Sequence, residues 1–519
     1  MPTDFWSWAR EEPGRLAVVS EEGREFTYGE EGARANQLVH ALRDLGLKKG
    51  DTFAVLLSNE PAFVEALMAA LQAGFQMVPI NYHLTGPEVG YILGNSEAKA
   101  FIASDHFRDA AIEAIKEAGF SPERSFAVGE IPGFNSYEEL LARYSVAEPE
   151  DRSMGMFMLY TSGTTGKPKG VRRPLIDAAP EGIFSMLGAI GDSIPGMAPG
   201  QGVHLVTGPL YHAAPIAFGM LAIQLGQPLV MMNKWSAERT VELMNRYQVS
   251  TSHMVATMFH RMLNLPEEVK SQFDPSNLKV IIHGAAPTPP ETKRRMIEWW
   301  GPVFYEYYGA TEGGGTLIDT TEWLAHPGST GKPFPMVQLH IVGEKGEELP
   351  PGEVGEIWID MGPLGDMLGF EYYKDEKKTQ ESRKGNWFTL GDVGYLTPEN
   401  YLYLTDRKKD MVISGGVNIY PAEIEATIIL HPAVRDVAVF GVPDPDWGEA
   451  VKAVVELEPG YTPSEELTQD ILKFAEKSLA RYKLPKSIDY TDELPRSITG
   501  KLYKRYLRDQ YWEAAGRKI

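Results

Sequence analysis

The chain has 519 residues, too many for one ordinary hydrophobic core, so two or more domains are expected. Its 50 basic and 71 acidic residues give a formal charge of −21, which argues against non-specific nucleic-acid binding and makes any anionic ligand depend on local basic groups. Cysteine is absent, which excludes disulfides, thiol nucleophiles and Cys-ligated zinc.

The opening MPTDFWSWAREEPGR has no basic stretch followed by an apolar one, so no signal peptide is read. The longest apolar run, Ala213–Ile223, falls far short of the ~20 residues a bilayer span needs, and a cytoplasmic location is the expectation. The sequence leaves a homodimer open.

In residues 1–150, Phe53–Leu57 reads as a strand. The following SNEPAFVEALMAALQAGF reads as a helix, with Ser58 or Asn59 as cap, Pro61 in the first turn, Phe63, Leu67 and Leu71 on one face, and Gly74 at the end. Met77–Ile80 is again strand-like, so the unit is βαβ and implies a parallel sheet covered by helices. Residues 105–150 are polar and irregular, and peripheral loops with short helices are expected there.

Tyr160–Val171 reads YTSGTTGKPKGV. It gathers the hydroxyls of Thr161, Ser162, Thr164 and Thr165, the glycines Gly163, Gly166 and Gly170, and the cations Lys167 and Lys169. Glycines bring backbone N–H groups close to a ligand, hydroxyls donate to anionic oxygens and lysine adds a mobile charge, a chemistry suited to a polyphosphate. The spacing does not fit GxxxxGK[ST], because Pro168 follows Lys167 where a metal-binding hydroxyl would be needed. A flexible linker is the plain alternative, but Lys-Pro-Lys running into Val171 is not linker composition.

Alternation then resumes, with predicted strands at Val203–Thr207, Leu229–Met232, Lys279–Ile282 and Val303–Tyr307 and predicted helices at Ala213–Leu225, Ser236–Tyr247 and Pro290–Trp300. Two small-residue loops, His283–Pro287 (HGAAP) and Tyr308–Gly315 (YGATEGGG), follow strand ends, where open α/β sheets bind ligands. From about 337 the pattern changes to the short strands VQLHIV, GEIWI and YLYLT, a small β subdomain ending at the charged turn Asp406–Asp410. Beyond it, a helix at Pro421–Leu430, strands at Val434–Val442 and Ala450–Leu457 and a helix at Ser464–Leu479 make an α+β module. Among single residues, Glu312 beside Thr311 suits Mg²⁺, which takes one or two carboxylates plus phosphate oxygens, although most such glutamates are solvated turn residues. Asp392 in TLGDVGY is a carboxylate able to accept bonds from ribose hydroxyls.

TSGTTGKPKG resembles the phosphate-binding signature of the adenylate-forming superfamily of acyl-CoA synthetases, luciferases and adenylation domains, and six ordered motifs extend the likeness over roughly 155–508. The resemblance implies an α/β fold: a large N-terminal AMP-binding domain of doubly wound sheets (1–405, with the β subdomain at about 337–405), a hinge at 406–409, and a smaller mobile α+β C-terminal lid (410–519). It implies ATP, Mg²⁺ and CoA as cofactor and cosubstrates, and a small carboxylic acid as partner. It places Mg²⁺ on Glu312, the α-phosphate on Thr311, adenine on Tyr308 and Gly309 against Gly284, Ala285 and Ala286, and ribose on Asp392 and Arg407, with Lys169 among the phosphate-binding and catalytic groups. Here Leu390 stands where the family usually has Thr before Gly-Asp, but the carboxylate is kept. Lys409 falls at the hinge, Gly415 and Gly416 on the loop lining the pantetheine tunnel, and Lys501 in PRSITGKLY at the adenylation lysine. A positioned ammonium bridging carboxylate and α-phosphate is often worth ~10²–10³ in rate.

The acyl pocket is expected from Tyr211-His212-Ala213, from Met254–Met258 including Thr257, and from Gly313, Gly314 and Gly315, whose missing side chains imply a roomy apolar tunnel. That points to a medium- or long-chain fatty acid or a bulky aryl or steroid-like acid. With no Asp or Lys among these positions an α-amino acid is disfavoured. The reading is an AMP-forming acyl-CoA synthetase. Its rivals are an enzyme loading a carrier protein, a luciferase-like oxidative enzyme and a non-catalytic nucleotide binder. The absence of a carrier-like segment after residue 519 favours free CoA as the acceptor.

Overall fold

The computed structural model describes residues 2–161, 168–182, 184, 197–286, 288–365, 369–407, 410–414, 417–496 and 502–514. Two large sheets build the N-terminal domain. One has six parallel strands in the order Asn135–Ser136, Ser125–Val128, Phe101–Ser104, Thr52–Leu56, Gln76–Pro79, Met156–Phe157. The other has nine, in the order Lys332–Pro333, Gly313–Asp319, Phe304–Ala310, Val280–His283, Thr251–Met254, His204–Val206, Leu229–Met231, Leu16–Val19, Glu25–Thr27. Its strands from Leu16–Val19 to Phe304–Ala310 are parallel, and the outer ones run antiparallel.

Thr52–Leu56 is buried at every position, as a strand covered on both faces must be. The helix Pro61–Ala73 begins on proline and stops at Gly74, whose φ of 71° suits glycine. Its N-cap is Glu60 rather than Ser58 or Asn59. One apolar cluster joins residues of both sheets, from Phe53, Leu67 and Phe75 to Val206, Ile216 and Met231, so the two sheets share a core.

Residues 105–150 correct the expectation of peripheral loops. They hold the helix Arg108–Ala118 and the strand Ser125–Val128, which pairs with Phe101–Ser104. Four residues are too few for periodicity to reveal a strand, and pairing with a buried neighbour decides it. Leu16–Val19, Thr251–Met254 and the helix Ala256–Leu263 were likewise not read from the sequence.

A three-stranded antiparallel sheet, Glu371–Tyr372, Lys169–Arg172, Leu159–Thr161, adjoins this body. The β subdomain pairs Gln338–Val342, Gly355–Asp360, Trp387–Leu396 and Leu402–Arg407. The charged Asp406-Arg407 does not interrupt it: the last strand runs through both, with Arg407 opposite Asp392. The smaller C-terminal α+β domain has its own sheet of Val412–Ser414, Val417–Ile419, Val434–Asp444, Gly448–Leu457 and Ser487–Thr491. The helices Pro421–Ile428 and Glu465–Glu476 pack on it around Ile424, Val439, Val455 and Ile471. Among the described residues no helix is long and apolar enough to cross a membrane.

Candidate active site

YGATEGGG is not a loop, as expected, but the end of a hairpin. Phe304–Ala310 and Gly313–Asp319 pair antiparallel, leaving only Thr311 and Glu312 at the turn. Along the first arm Phe304, Glu306 and Tyr308 are buried while Tyr305 and Tyr307 are half-buried, the alternation of a strand. The Tyr308 hydroxyl donates to Asp392 Oδ2 at 2.9 Å, and Asp392 Oδ1 lies 3.1 Å from Arg407 Nε. Burial pushes the Asp392 carboxyl above the usual range, against the pull of Arg407 and Tyr308. Burial and the Asp392 charge push the Tyr308 phenol up. An aromatic ring, a buried carboxylate and a guanidinium thus stand together on three strands from two sheets.

At the turn, Glu312 Oε1 accepts a hydrogen bond of 2.7 Å from the Tyr372 hydroxyl, and Oε2 has no partner among the described residues. Arg173 Nη2 donates to the carbonyls of Thr311 and Glu312, 3.0 Å each, and fixes the turn. Tyr372 sits opposite Val171 in the small sheet, so the same tyrosine ties Glu312 to the phosphate-loop arms. Those arms close as a hairpin with Lys169 opposite Thr161 and Gly170 opposite Tyr160. The expected phosphate contacts Ser162, Gly163, Thr164, Thr165 and Gly166 lie outside the described residues. Lys169 is engaged elsewhere: its Nζ is 2.5 Å from Asp375 Oδ2.

Gly284, Ala285 and Ala286 follow the strand Val280–His283. A Cβ on Gly284 would lie 2.6 Å from the Tyr307 ring, so only glycine lets this loop press on the neighbouring strand. Ala285 has a φ of 66°, a strained conformation for alanine. Beneath the loop, buried Lys293 bonds Glu306 at 2.7 Å, with His283 Nε2 3.9 Å from the same carboxylate. Sequence reasoning missed this buried pair. Helical spacing places Lys293 on a surface helix, and only packing puts its ammonium on Glu306 and over Trp323.

Around the expected acyl pocket, Tyr211 meets Tyr82 edge-on at 4.9 Å and its neighbour His212 at 4.4 Å. Asn59 staples the preceding loop, donating to the Gly208 and Met232 carbonyls and accepting from Leu210 N. Burial raises the Tyr211 phenol, with smaller contributions from Tyr82 and from Tyr503 of the C-terminal segment. Thr257 is half-buried on the helix Ala256–Leu263. His253 stacks on Phe218 at 5.4 Å and meets the Tyr307 hydroxyl at 3.2 Å; burial lowers its pKa to about 3, so the ring is neutral.

At the glycines expected to line a tunnel, the space beside the backbone is occupied. A Cβ on Gly313 would meet Phe388 at 2.8 Å, one on Gly314 would meet Phe334 at 3.1 Å, and one on Gly315 would meet Tyr308 at 3.2 Å. The glycines admit aromatic side chains of the hairpin and β subdomain. Lys409, Gly415, Gly416 and Lys501 lie outside the described residues. Near the start of the C-terminal domain, Asp406 Oδ2 accepts from Ala422 N at 2.9 Å, and half-buried Lys504 meets Glu425 at 2.8 Å.

A parallel sheet and a mainly parallel one sharing a core, a smaller α+β domain, and Tyr308, Asp392 and Arg407 near a glycine-rich hairpin and a lone acid are the features of an adenylate-forming ligase. The comparisons with known proteins agree. The family model described as AMP-binding enzyme matches residues 5–369, and that described as AMP-binding enzyme C-terminal domain matches 423–501. The chain is 32% identical over 98% of its length, and 96% of the relative, to the fatty acid–[acyl-carrier-protein] ligase ScoC of Streptomyces coeruleorubidus. It is 33% identical to the long-chain-fatty-acid–CoA ligase FadD13 of Mycobacterium tuberculosis, over 94% of this chain and 93% of that one. Among solved structures it resembles the o-succinylbenzoate CoA synthetase of Bacillus subtilis in complex with its acyl-adenylate intermediate, with a TM-score of 0.79, 27% identity and 98% of each chain covered. The chain therefore belongs to the AMP-binding enzyme family, and it is an AMP-forming acid–CoA ligase that uses ATP.

Proposed function

We propose that the enzyme activates a bulky apolar carboxylic acid, a medium- or long-chain fatty acid or an aryl or steroid-like acid, and passes it to CoA in the cytoplasm. The acid's carboxylate attacks the α-phosphorus of ATP, the bond to the bridging oxygen breaks and pyrophosphate leaves. The CoA thiol, losing its proton, then attacks the acyl carbon and AMP departs. In this reading Tyr308 faces adenine across Gly284, Ala285 and Ala286, while Asp392 and Arg407 hold the ribose. Thr161 and Lys169 flank the loop that receives the β- and γ-phosphates. Lys501 bridges the acid and the α-phosphate. A rotation about Lys409 exchanges it for Gly415 and Gly416, giving both half-reactions one pocket. The Glu312 oxygen left open by Tyr372 fits Mg²⁺, which takes its other ligands from phosphate and water and would offset phosphate charge when bound.

The observation that carries this reading is the tie through Tyr372, which sets Glu312 against the phosphate hairpin on the same β-hairpin that bears Tyr308 and Asp392's hydrogen bond. The acid's chemistry rests on the walls. Tyr211, Phe218, Tyr307 and a neutral His253 are aromatic and carry no charge to meet an α-amino group. Pyrophosphate exchange into ATP is the test, across fatty acids of six to eighteen carbons, cinnamic-type acids, bile-type acids and amino acids. Exchange with one apolar class and none with amino acids is expected; preferred exchange with an amino acid would overturn the assignment. A second reading, transfer to a carrier protein, is favoured by the likeness to ScoC. Offering CoA and a phosphopantetheinylated carrier in parallel separates the two.

A further inference from the structure

Tyr372 and Asp375, three residues apart, each hold one charged side chain of the candidate site. The Tyr372 hydroxyl donates to Glu312 Oε1 at 2.7 Å, and Asp375 Oδ2 lies 2.5 Å from Lys169 Nζ. Glu312 and Lys169 belong to different parts of the fold. The first sits at the turn between Phe304–Ala310 and Gly313–Asp319 in the nine-stranded sheet, the second on Lys169–Arg172 in the three-stranded one. The segment that reaches both is fixed along its length. The Tyr372 ring is buried in the apolar cluster that also contains Val171 and Tyr308. Its strand pairs with the hairpin arm, Tyr372 opposite Val171, and Tyr373 N donates to the Gly170 carbonyl at 2.8 Å. Asp375 N donates to the Tyr372 carbonyl at 2.9 Å and closes a turn. Asp375 then caps the helix Glu376–Ser382, its Oδ1 accepting from Lys378 N at 3.0 Å while Oδ2 faces Lys169. Thr379, inside that helix, joins the two residues: its hydroxyl accepts from Tyr372 N and donates to the Asp375 carbonyl, 2.9 Å each.

A ligand that must order loose side chains loses affinity to their entropy, and groups fixed beforehand spare that loss. A lysine ammonium has three donors, so one spent on Asp375 leaves two for a ligand. A carboxylate that accepts a phenol hydrogen bond on one oxygen is held in one orientation. Both contacts come from one short segment, so the backbone between Tyr372 and Asp375 sets how far apart the acid and the cation stand. We propose that Tyr372 and Asp375 are positioning residues for the adenylation step, acting through Glu312 and Lys169. Tyr372 fixes the face that Glu312 offers to Mg²⁺, Asp375 fixes the reach of Lys169 toward the polyphosphate, and Thr379 couples the two. The inference rests on the assignment of Glu312 and Lys169 proposed above, and it does not depend on which acid is used.

The test measures α,β-methylene-ATP binding to the full chain by calorimetry, once with Mg²⁺ and once with EDTA. Tyr372→Phe keeps the buried ring. It should weaken binding about tenfold with Mg²⁺, the loss of one hydrogen bond to a charged group, and less than twofold in EDTA. Asp375→Asn keeps the helix cap and should weaken binding about threefold in both buffers, the worth of a partly exposed ion pair. The first loss should vanish in a Glu312→Gln background and the second in a Lys169→Met background, because a contact counts only while its partner is present. Thr379→Val should show both losses in part, and Thr379→Ser, which keeps the hydroxyl, should bind as the parent does. Thermal melts check each fold, and Thr379→Val gives a second reading if Tyr372→Phe fails to fold. Parent-like binding by Tyr372→Phe and Asp375→Asn, with Glu312→Gln and Lys169→Met impaired, would overturn the inference alone. Losses that persist undiminished in the matched backgrounds would also overturn it, by making the segment a support of the fold only. Parent-like binding by Glu312→Gln and Lys169→Met would refute the assignment of those two residues, and the inference would fall with it.

Discussion

Asp392→Ala should remove most of the enzyme's hold on ATP. The carboxylate is buried and serves two protein partners, the Tyr308 hydroxyl at 2.9 Å and Arg407 Nε at 3.1 Å, besides the ribose assigned to it. A hydrogen bond to a charged group contributes about 1.5–3 kcal/mol, so losing two to the ribose costs about 3–6 kcal/mol, or roughly 10²–10⁴ in kcat/KM for ATP. The same change leaves the buried tyrosine hydroxyl without its acceptor, at about 1–3 kcal/mol of stability. Asp392→Asn keeps the shape and one acceptor but loses the charge, and should fall between, near tenfold. ATP–pyrophosphate exchange measures kcat/KM for ATP with each variant, and thermal melts separate nucleotide binding from folding. The rate of thioester formation from supplied acyl-adenylate should change less than exchange does. An Asp392→Ala enzyme that kept its KM for ATP within twofold would refute the ribose assignment and the adenine placement that goes with it.

Gly314→Leu should destabilise the fold by about 1–3 kcal/mol through overpacking against Phe334, without changing which acids are accepted. A shifted acid profile at unchanged melting temperature would restore the tunnel reading. Glu31 is buried, with neither carboxyl oxygen hydrogen-bonded, and burial followed by the nearby Glu65 pushes its pKa well up. Because the folded pKa lies above the unfolded one, the folded state holds the proton longer, and stability falls as pH rises from about 4.5 through the raised value. Glu31→Gln should therefore melt higher than the parent at pH 8 and converge with it near pH 4; equal melting curves at both pH values would contradict the buried-acid account.

Much of the site was legible because its parts are local. Tyr308, Thr311 and Glu312 lie within five consecutive residues, and the phosphate hairpin within twelve. What escaped was the support. Nothing local marks Tyr372 as the partner of Glu312, sixty residues away, or Asn59 as a staple for a loop 149 residues on. What surrounds Gly313–Gly315 is illegible for the same reason. A glycine run says that side chains are missing, while Phe388 and Phe334, which fill the space, come from remote strands. Asp406-Arg407 looked like a charged turn because its charges are visible in sequence and its ladder partner Asp392 is not.

By itself the sequence determined the chemistry on offer: a hydroxyl- and glycine-rich loop suited to phosphate, a lone acid after an aromatic, a buried-strand alternation and an acidic chain without cysteine. These follow from residue type and short spacing, which the backbone reads within one turn or strand. Tertiary structure alone decided which charges meet. It set Lys169 on Asp375, Lys293 on Glu306, and Asp392 between Tyr308 and Arg407. Those outcomes depend on burial and on register between strands distant in the chain, because an ion pair or an aromatic contact acts over a few ångströms of space whatever the separation in sequence.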